Sequence, residues 1–253
     1  MGKLEGKVAI ITGGGKGIGF GLAKAFAKEG ANLTITGRTM SRLEAAKEKL
    51  EAEYGVKVLP ITADGADEAS VANVVKQTVE TFGHIDTVVN NAQVSKSGVM
   101  LKDHTKEDFD LAIYSGLYAT FFYMRDAYPY LKESKGRIIN FGSGSGTHGS
   151  KGMTSYGTSK EAIRGMTKIL AVELAKDGIN VNVICPLAWT AKLEQFQQAY
   201  PEAFKANVKM PPMGHYGNAE LEIGRVCVQL AMPDFKFMSG ETLTLEGGMG
   251  QRP

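Results

Sequence analysis

Three side chains in one stretch, Asn140 to Lys160 (NFGSGSGTHGSKGMTSYGTSK), have the types and spacing for proton chemistry. Ser143 lies in a Gly/Ser-rich loop after a β-branched run. Tyr156 and Lys160 are four residues apart on the helix predicted to follow, so their side chains share one helix face. A tyrosine serves as a general acid/base near neutral pH only if its pKa falls well below about 10. A fall of roughly three units is worth about 4 kcal/mol. One ammonium about 4 Å away, at an effective dielectric of about 20, supplies about 4 kcal/mol. Lys160 is therefore predicted to lower the pKa of Tyr156, with Ser143 holding the same reacting oxygen. Taken alone, a Tyr-x-x-x-Lys pair is ordinary helix surface, so the elements around it decide its meaning.

Those elements alternate. Val8–Thr12 is a β-branched run ending in GGGKGIG, and an apolar-periodic helix follows through Glu29. Strand, glycine turn and helix are the context of a dinucleotide-binding fingerprint. Gly13, Gly17 and Gly19 allow a tight turn, close approach to a pyrophosphate and packing of the helix on the sheet, with the helix N-terminus facing the phosphates. The second strand, Asn32–Thr36, ends at Gly37-Arg38 with no acid to take a ribose 2′-hydroxyl. Arg38 suits a 2′-phosphate, since a guanidinium pairs bidentately with phosphate, and Lys16 adds a second charge nearby. NADP is expected over NAD. Ser41, with Glu44 after it, reads as a capping box for a helix to about Tyr54. Val56–Pro60 is the third predicted strand, and Asp64 after it is expected at the adenine edge, with a turn or cap as the other reading. A helix over Glu68–Phe82 precedes the fourth strand, Asp86–Asn90.

The spacing predicts one long helix over Lys106–Lys132 with an aromatic-rich middle, read as core or subunit contact. Arg137–Phe141 is the fifth strand. A helix from Thr154 to about Lys176 and a strand over Asn180–Cys185 follow. Residues Leu187–Tyr216 are irregular, with prolines, aromatics and methionines, and read as a lid or binding loop. A helix over Ala219–Ala231 and a strand over Glu241–Leu245 complete the chain. The rhythm predicts an α/β fold: one doubly wound Rossmann domain over residues 1–253, with a seven-stranded, mainly parallel sheet and helices on both faces.

Composition narrows the function. The 253 residues are 43% hydrophobic and 22% charged, with a net charge of +2, and lack a basic run. Nucleic acid is not an expected partner. Cys185 and Cys227 read as small core residues. The four His show no metal-ligand spacing, so no metal is expected. No apolar run is long enough for a bilayer, and the first strand begins within ten residues of the start, so the expected location is the cytoplasm.

TGGGKGIG, NNAQ after the fourth strand, Ser143 and, thirteen residues later, Tyr156-Gly-Thr-Ser-Lys160 closely resemble the short-chain dehydrogenase/reductase family over the whole chain. A narrower likeness, in FDLAIYSGLYATFFYMRDAYPYLKES, NVNVICPLAWTA and SGETLTLEGGMGQRP, is to its bacterial NADP-dependent 12α-hydroxysteroid dehydrogenases, which act on bile acids. The resemblance implies reversible oxidation of a secondary alcohol with NADP. It makes Tyr156 the general acid/base, Ser143 the orienter of the substrate oxygen, and Lys160 the residue that tunes Tyr156 and binds the nicotinamide ribose. It also puts Gly13, Lys16, Gly17, Ile18 and Gly19 on the phosphates, Arg38 on the 2′-phosphate, Asp64 and Asn91 on the adenosine half, and Trp189 by the nicotinamide amide. A homotetramer or dimer is implied, with the aromatic stretch 118–130 and the C-terminal tail as contacts.

The chain departs from the family pattern at three positions. The Asn that many relatives carry in the middle of the long helix aligns with Gly116, beside Ser115. Gly116 is expected to permit a helix distortion that leaves a backbone carbonyl in that place. The usual NNAG reads NNAQ, so Gln93 brings a polar side chain to the site, as a substrate contact or one shell behind. The usual Pro-Gly is Pro186-Leu187, which stiffens the following loop. Two other functions fit parts of this pattern. One is an NADPH-dependent 3-oxoacyl or small-carbonyl reductase, for which Lys205 and Lys209 are the basic residues near the cleft. The other is a non-catalytic NADP-binding sensor, which has no use for a tuned phenol.

Overall fold

The computed structural model describes residues 2–250. Seven strands form one sheet: β1 (Val8–Thr12), β2 (Asn32–Gly37), β3 (Val58–Thr62), β4 (Thr87–Asn90), β5 (Arg137–Phe141), β6 (Asn180–Pro186) and β7 (Thr242–Leu245), in the order β3-β2-β1-β4-β5-β6-β7. Every pairing is parallel. Parallel strands need crossovers, and these are helices on both faces. On one face α1 (Gly17–Lys28), α2 (Met40–Tyr54) and α10 (Arg225–Ala231) bury Phe26, Leu43, Leu50 and Val228 against the sheet. On the other, α3 (Glu68–Phe82), α5 (Ala119–Ser134) and α7 (Thr154–Glu173) bury Val74, Met124, Leu131 and Ala171. The chain reverses direction across the sheet between β1 and β4, which opens a crevice at their C-terminal ends, where open α/β sheets bind ligands.

Several boundaries differ from the sequence reading, each for a local reason. β3 starts at Val58 rather than Val56, because its register follows β2 to the pair Gly37↔Thr62. Pro60 is tolerated because β3 is a sheet edge. α2 begins at Met40 with Thr39 as its N-cap residue, so Ser41 sits inside the first turn and the expected capping box does not form. That start turns Leu43, Ala46 and Leu50 inward. The segment after Pro186 is only partly irregular: α8 (Ala191–Ala199) and α9 (Pro201–Asn207) lie in it, with Pro201 in the first turn of α9, while residues 208–216 form no helix or strand. The long helix is interrupted. α4 (Lys106–Ala112) passes through a π-helical turn, Ile113–Tyr118, before α5.

Candidate active site

At the end of β1 the glycine loop opens the crevice. Gly13 (φ 71) and Gly17 (φ 55) take the left-handed conformation that glycine adopts without strain. Gly19 serves packing instead: a Cβ there would lie 2.2 Å from the Gly13 carbonyl oxygen. Lys16 is the exposed N-cap of α1, and no acid lies in that helix's first turn. Ile18 turns its side chain toward the core and leaves its backbone at the helix N-terminus. Arg38 is exposed just beyond the tip of β2.

Two expected adenosine contacts have structural partners. Asn91 donates through Nδ2 to the Thr12 carbonyl at 2.8 Å, tying β4 to the glycine loop. Asp64 accepts from the Ala66 N–H at 3.0 Å, the turn role that competed with its ligand role. Thr12, which the sequence reading passed over, is the hub here. Its Oγ1 donates to the Val89 carbonyl at 3.3 Å and accepts from the Asn91 and Ala92 N–H groups at 2.9 Å each. A hydroxyl at the end of an otherwise apolar strand was the available signal.

Across the crevice, β5 and α7 bring Ser143, Tyr156 and Lys160 together. Ser143 caps the short helix α6 (Gly144–Thr147), accepting from the Ser145 N–H at 3.1 Å. That bond uses a lone pair and leaves the hydroxyl proton for the Tyr156 oxygen. Beneath them, Asn90 donates to Asn140, and Asn140 to Thr167, each at 2.9 Å, a buried amide chain that fixes β4, β5 and α7 relative to one another. Lys160 is buried, and its Nζ donates to the Phe141 carbonyl at 2.8 Å while standing 5.7 Å from the centre of the Tyr156 ring.

The electrostatics correct the spacing argument. Burial raises the Tyr156 pKa above its ordinary value, and the Ser143 hydrogen bond opposes that rise. Burial also brings Lys160 down to about 8. Both groups lose water, which disfavours the charged form of each. The ammonium is also committed to a backbone carbonyl rather than to the phenol oxygen. The protein alone thus holds Tyr156 as a phenol, a proton donor, with Lys160 in reserve.

Gln93 and Trp189 both have partners within the protein. The Gln93 amide donates to the Ala112 carbonyl at 3.2 Å, at the start of the π turn. The distortion expected at Gly116 is present as that turn, with Gly116 buried in it. The Ala112 carbonyl is occupied by side chains, since Ser159 also donates to it, at 3.1 Å. Trp189 packs edge-on between Phe204 (6.2 Å) and Tyr216 (5.8 Å), holding the α8–α9 unit to the loop after β6. Thr190, beside it, caps α8. Leu187, Leu193, Val208, Tyr216 and Met249 border a cavity of about 450 Å³, with Thr190 and Lys209 as polar parts of its wall.

A crevice at the strand ends, with a glycine loop on one side and a Ser-Tyr-Lys set on the other, is an arrangement seen in known enzymes. A family model described as enoyl-(acyl carrier protein) reductase matches residues 13–250. The chain is 59% identical over 259 residues to a 12alpha-hydroxysteroid dehydrogenase of Clostridium sp. (strain ATCC 29733 / VPI C48-50), with 100% of both chains covered. It is 32% identical over 249 residues to a 3-oxoacyl-(acyl-carrier-protein) reductase of Thermotoga maritima, covering 98% of this chain and 99% of that one. The L-sorbose reductase of Gluconobacter frateurii, solved with NADPH and L-sorbose, superposes with a TM-score of 0.92 at 28% identity over 100% of each chain. Full-length sequence and fold agree with the motifs of the crevice, and the chain belongs to the short-chain dehydrogenase/reductase family, as an oxidoreductase.

Proposed function

We propose that this enzyme reversibly oxidises a secondary alcohol to a ketone with NADP, and that its substrate is the 12α-hydroxyl of a bile acid. The observation that carries this reading is the 59% identity, end to end, with a 12alpha-hydroxysteroid dehydrogenase. For the cofactor, the residues fit a phosphorylated dinucleotide. The cradle at Gly17 has nothing within 4 Å of the space a Cβ would fill. The tip of β2 offers Arg38 and no acid, and Lys16 stands at the N-terminus of α1. Gly13, Gly17, Gly19 and Ile18 would line the phosphates through their backbone. Asp64 and Asn91 would border the adenosine, and the Trp189–Thr190 backbone the nicotinamide amide.

When bound, the nicotinamide supplies the hydride acceptor or donor. The chain supplies proton transfer and alignment. Ser143 donates to the substrate oxygen. Tyr156 gives a proton to that oxygen in reduction and takes it back in oxidation. Lys160 holds the cofactor ribose and, when charged, stabilises the phenolate. Residues 187–216 form the lid over the steroid, and the apolar cavity with Lys209 in its wall suits an apolar nucleus bearing an acidic side chain. The 3-oxoacyl reductase reading has weaker support, at 32% identity and with only Lys205 and Lys209 as basic residues of the lid's later half. The enzyme is further proposed to be a single domain, a homo-oligomer and cytoplasmic. Two buried thiols suit a reducing compartment, and no helix among the described residues is long and apolar enough to cross a membrane.

The test is a panel of hydroxysteroids epimeric at carbons 3, 7 and 12, with an oxoacyl thioester alongside, each assayed with NAD and NADP. Selective turnover of the 12α-alcohol with NADP is expected, and R38A should erase the preference for NADP. Faster turnover of the thioester, or of a 3- or 7-hydroxyl, would overturn the substrate assignment.

A further inference from the structure

Gly116 and Gln93 are two of the three positions where the chain departs from its family's site pattern, and the fold brings them into contact. A Cβ built on Gly116 would stand 2.6 Å from Cδ and 2.7 Å from Nε2 of Gln93, and 2.7 Å from Oγ of Ser159. The Gln93 carboxamide therefore fills the volume that a side chain at 116 would need. Its orientation is set by chemistry: only the NH₂ end can donate to the Ala112 carbonyl, so Oε1 points the other way, buried and without a hydrogen-bond partner. An acceptor left so carries a desolvation cost, which space-filling by an apolar side chain would avoid. The neighbouring residue is clamped too. The Val94 N–H donates to Ser115 Oγ at 3.0 Å, and that hydroxyl lies 2.8 Å from the Val94 carbonyl. Ser159, the second donor to Ala112, directly precedes Lys160.

We infer that Gln93 is a positioning residue of the active site: delivered from the loop after β4, its carboxamide does the work of the helix side chain that Gly116 lacks. It joins that loop, the π turn and α7 at one carbonyl, and so sets the helix that carries Tyr156 and Lys160. Glycine at 116 and glutamine at 93 are then one coupled choice, in which either residue requires the other. The effect on turnover rests on the alcohol oxidation proposed above, whereas the coupling itself does not.

The experiment is a double-mutant cycle on the full chain, Q93G against G116A, read by thermal midpoint and by steady-state kinetics. G116A should lower the midpoint and cut kcat about tenfold beside Gln93, and cost less than about threefold beside glycine at 93, since contacting residues couple on this scale. Q93G/G116N, which moves the carboxamide back to the helix, should recover most of kcat. Q93M fills the same volume without the bond and should lower kcat with KM little changed. Equal effects of G116A in both backgrounds would overturn the coupling. A rise in KM at constant kcat in Q93M would overturn the positioning role and make Gln93 a substrate contact. If no secondary alcohol is turned over, the enzymatic reading fails while the midpoint cycle still decides the coupling.

Discussion

Burying an ammonium at Lys160 costs the fold stability, and the cost depends on pH. The folded pKa, about 8, lies below the ordinary value of 10.5. Between those values the unfolded chain binds more protons, so the contribution of Lys160 rises as pH rises through that window. Below about pH 8 the full cost of about 3 kcal/mol applies. K160M should therefore melt higher than the wild type at pH 7, with the gap closing toward pH 10, while losing turnover; melting curves across that range check it. A K160M chain less stable than wild type at pH 7 would reverse the argument. Y156F should lower kcat by about 10²–10⁴-fold with cofactor affinity retained, read by steady-state assay and fluorescence titration; an unchanged kcat would remove Tyr156 from the chemistry. At this scale the sequence showed which side chains meet, because i to i+4 spacing on a helix is sufficient for that. It did not show their charge state. Desolvation raises Tyr156 and lowers Lys160, and burial depends on β5 and β6 packing over the helix, which spacing does not report.

At the scale of elements, the glycine loop separates two kinds of constraint that look alike in GGGKGIG. A Cβ on Gly19 meets a backbone oxygen at 2.2 Å, and no rotamer change relieves that contact. At Gly17 the space is open and only the positive φ of 55° resists a side chain. G19A should therefore displace the loop from α1 and weaken binding of the nicotinamide cofactor more than tenfold. G17A should cost only the left-handed strain of about 1–2 kcal/mol. Cofactor fluorescence titration and melts of both variants compare them, and a G19A chain that binds as tightly as G17A would contradict the packing account. Boundaries set by regular periodicity were legible, as in β1, β5 and α3. Those set by partners were not: β3 took its register from β2, and the segment 187–216, read as irregular, holds α8 and α9, the second started by Pro201. The interruption of the long helix left one trace in the sequence, the glycine at 116, whose meaning depended on the side chain of Gln93 packed against it.

For the whole molecule, the alternation of strands and helices implied a parallel sheet covered on both faces, and the order β3-β2-β1-β4-β5-β6-β7 follows from right-handed crossovers with one reversal. What the pattern could not separate is which helix faces look inward and which look toward another copy. The outer face of α5 and the π turn before it carries Tyr114, Tyr118 and Phe121 in one stripe, each more than a third exposed. On α7, Ile169 is 60% and Val172 80% exposed, beside Gly165, which has open space above it. These two helices lie on the same side of the sheet, so together they offer an apolar surface that a monomer would leave wet. If the enzyme is a homo-oligomer, this is the face that closes it, by a self-complementary contact. V172E/I169E should then convert the native assembly to a smaller species by light scattering, with melting temperature falling as protein is diluted in the wild type and independent of concentration in the variant. These substitutions lie on the side of α7 opposite its buried residues Ile163, Thr167 and Ala171, so a folded product is expected. A wild-type chain that scatters as a monomer, or a variant that keeps the wild-type mass, would put the contact elsewhere.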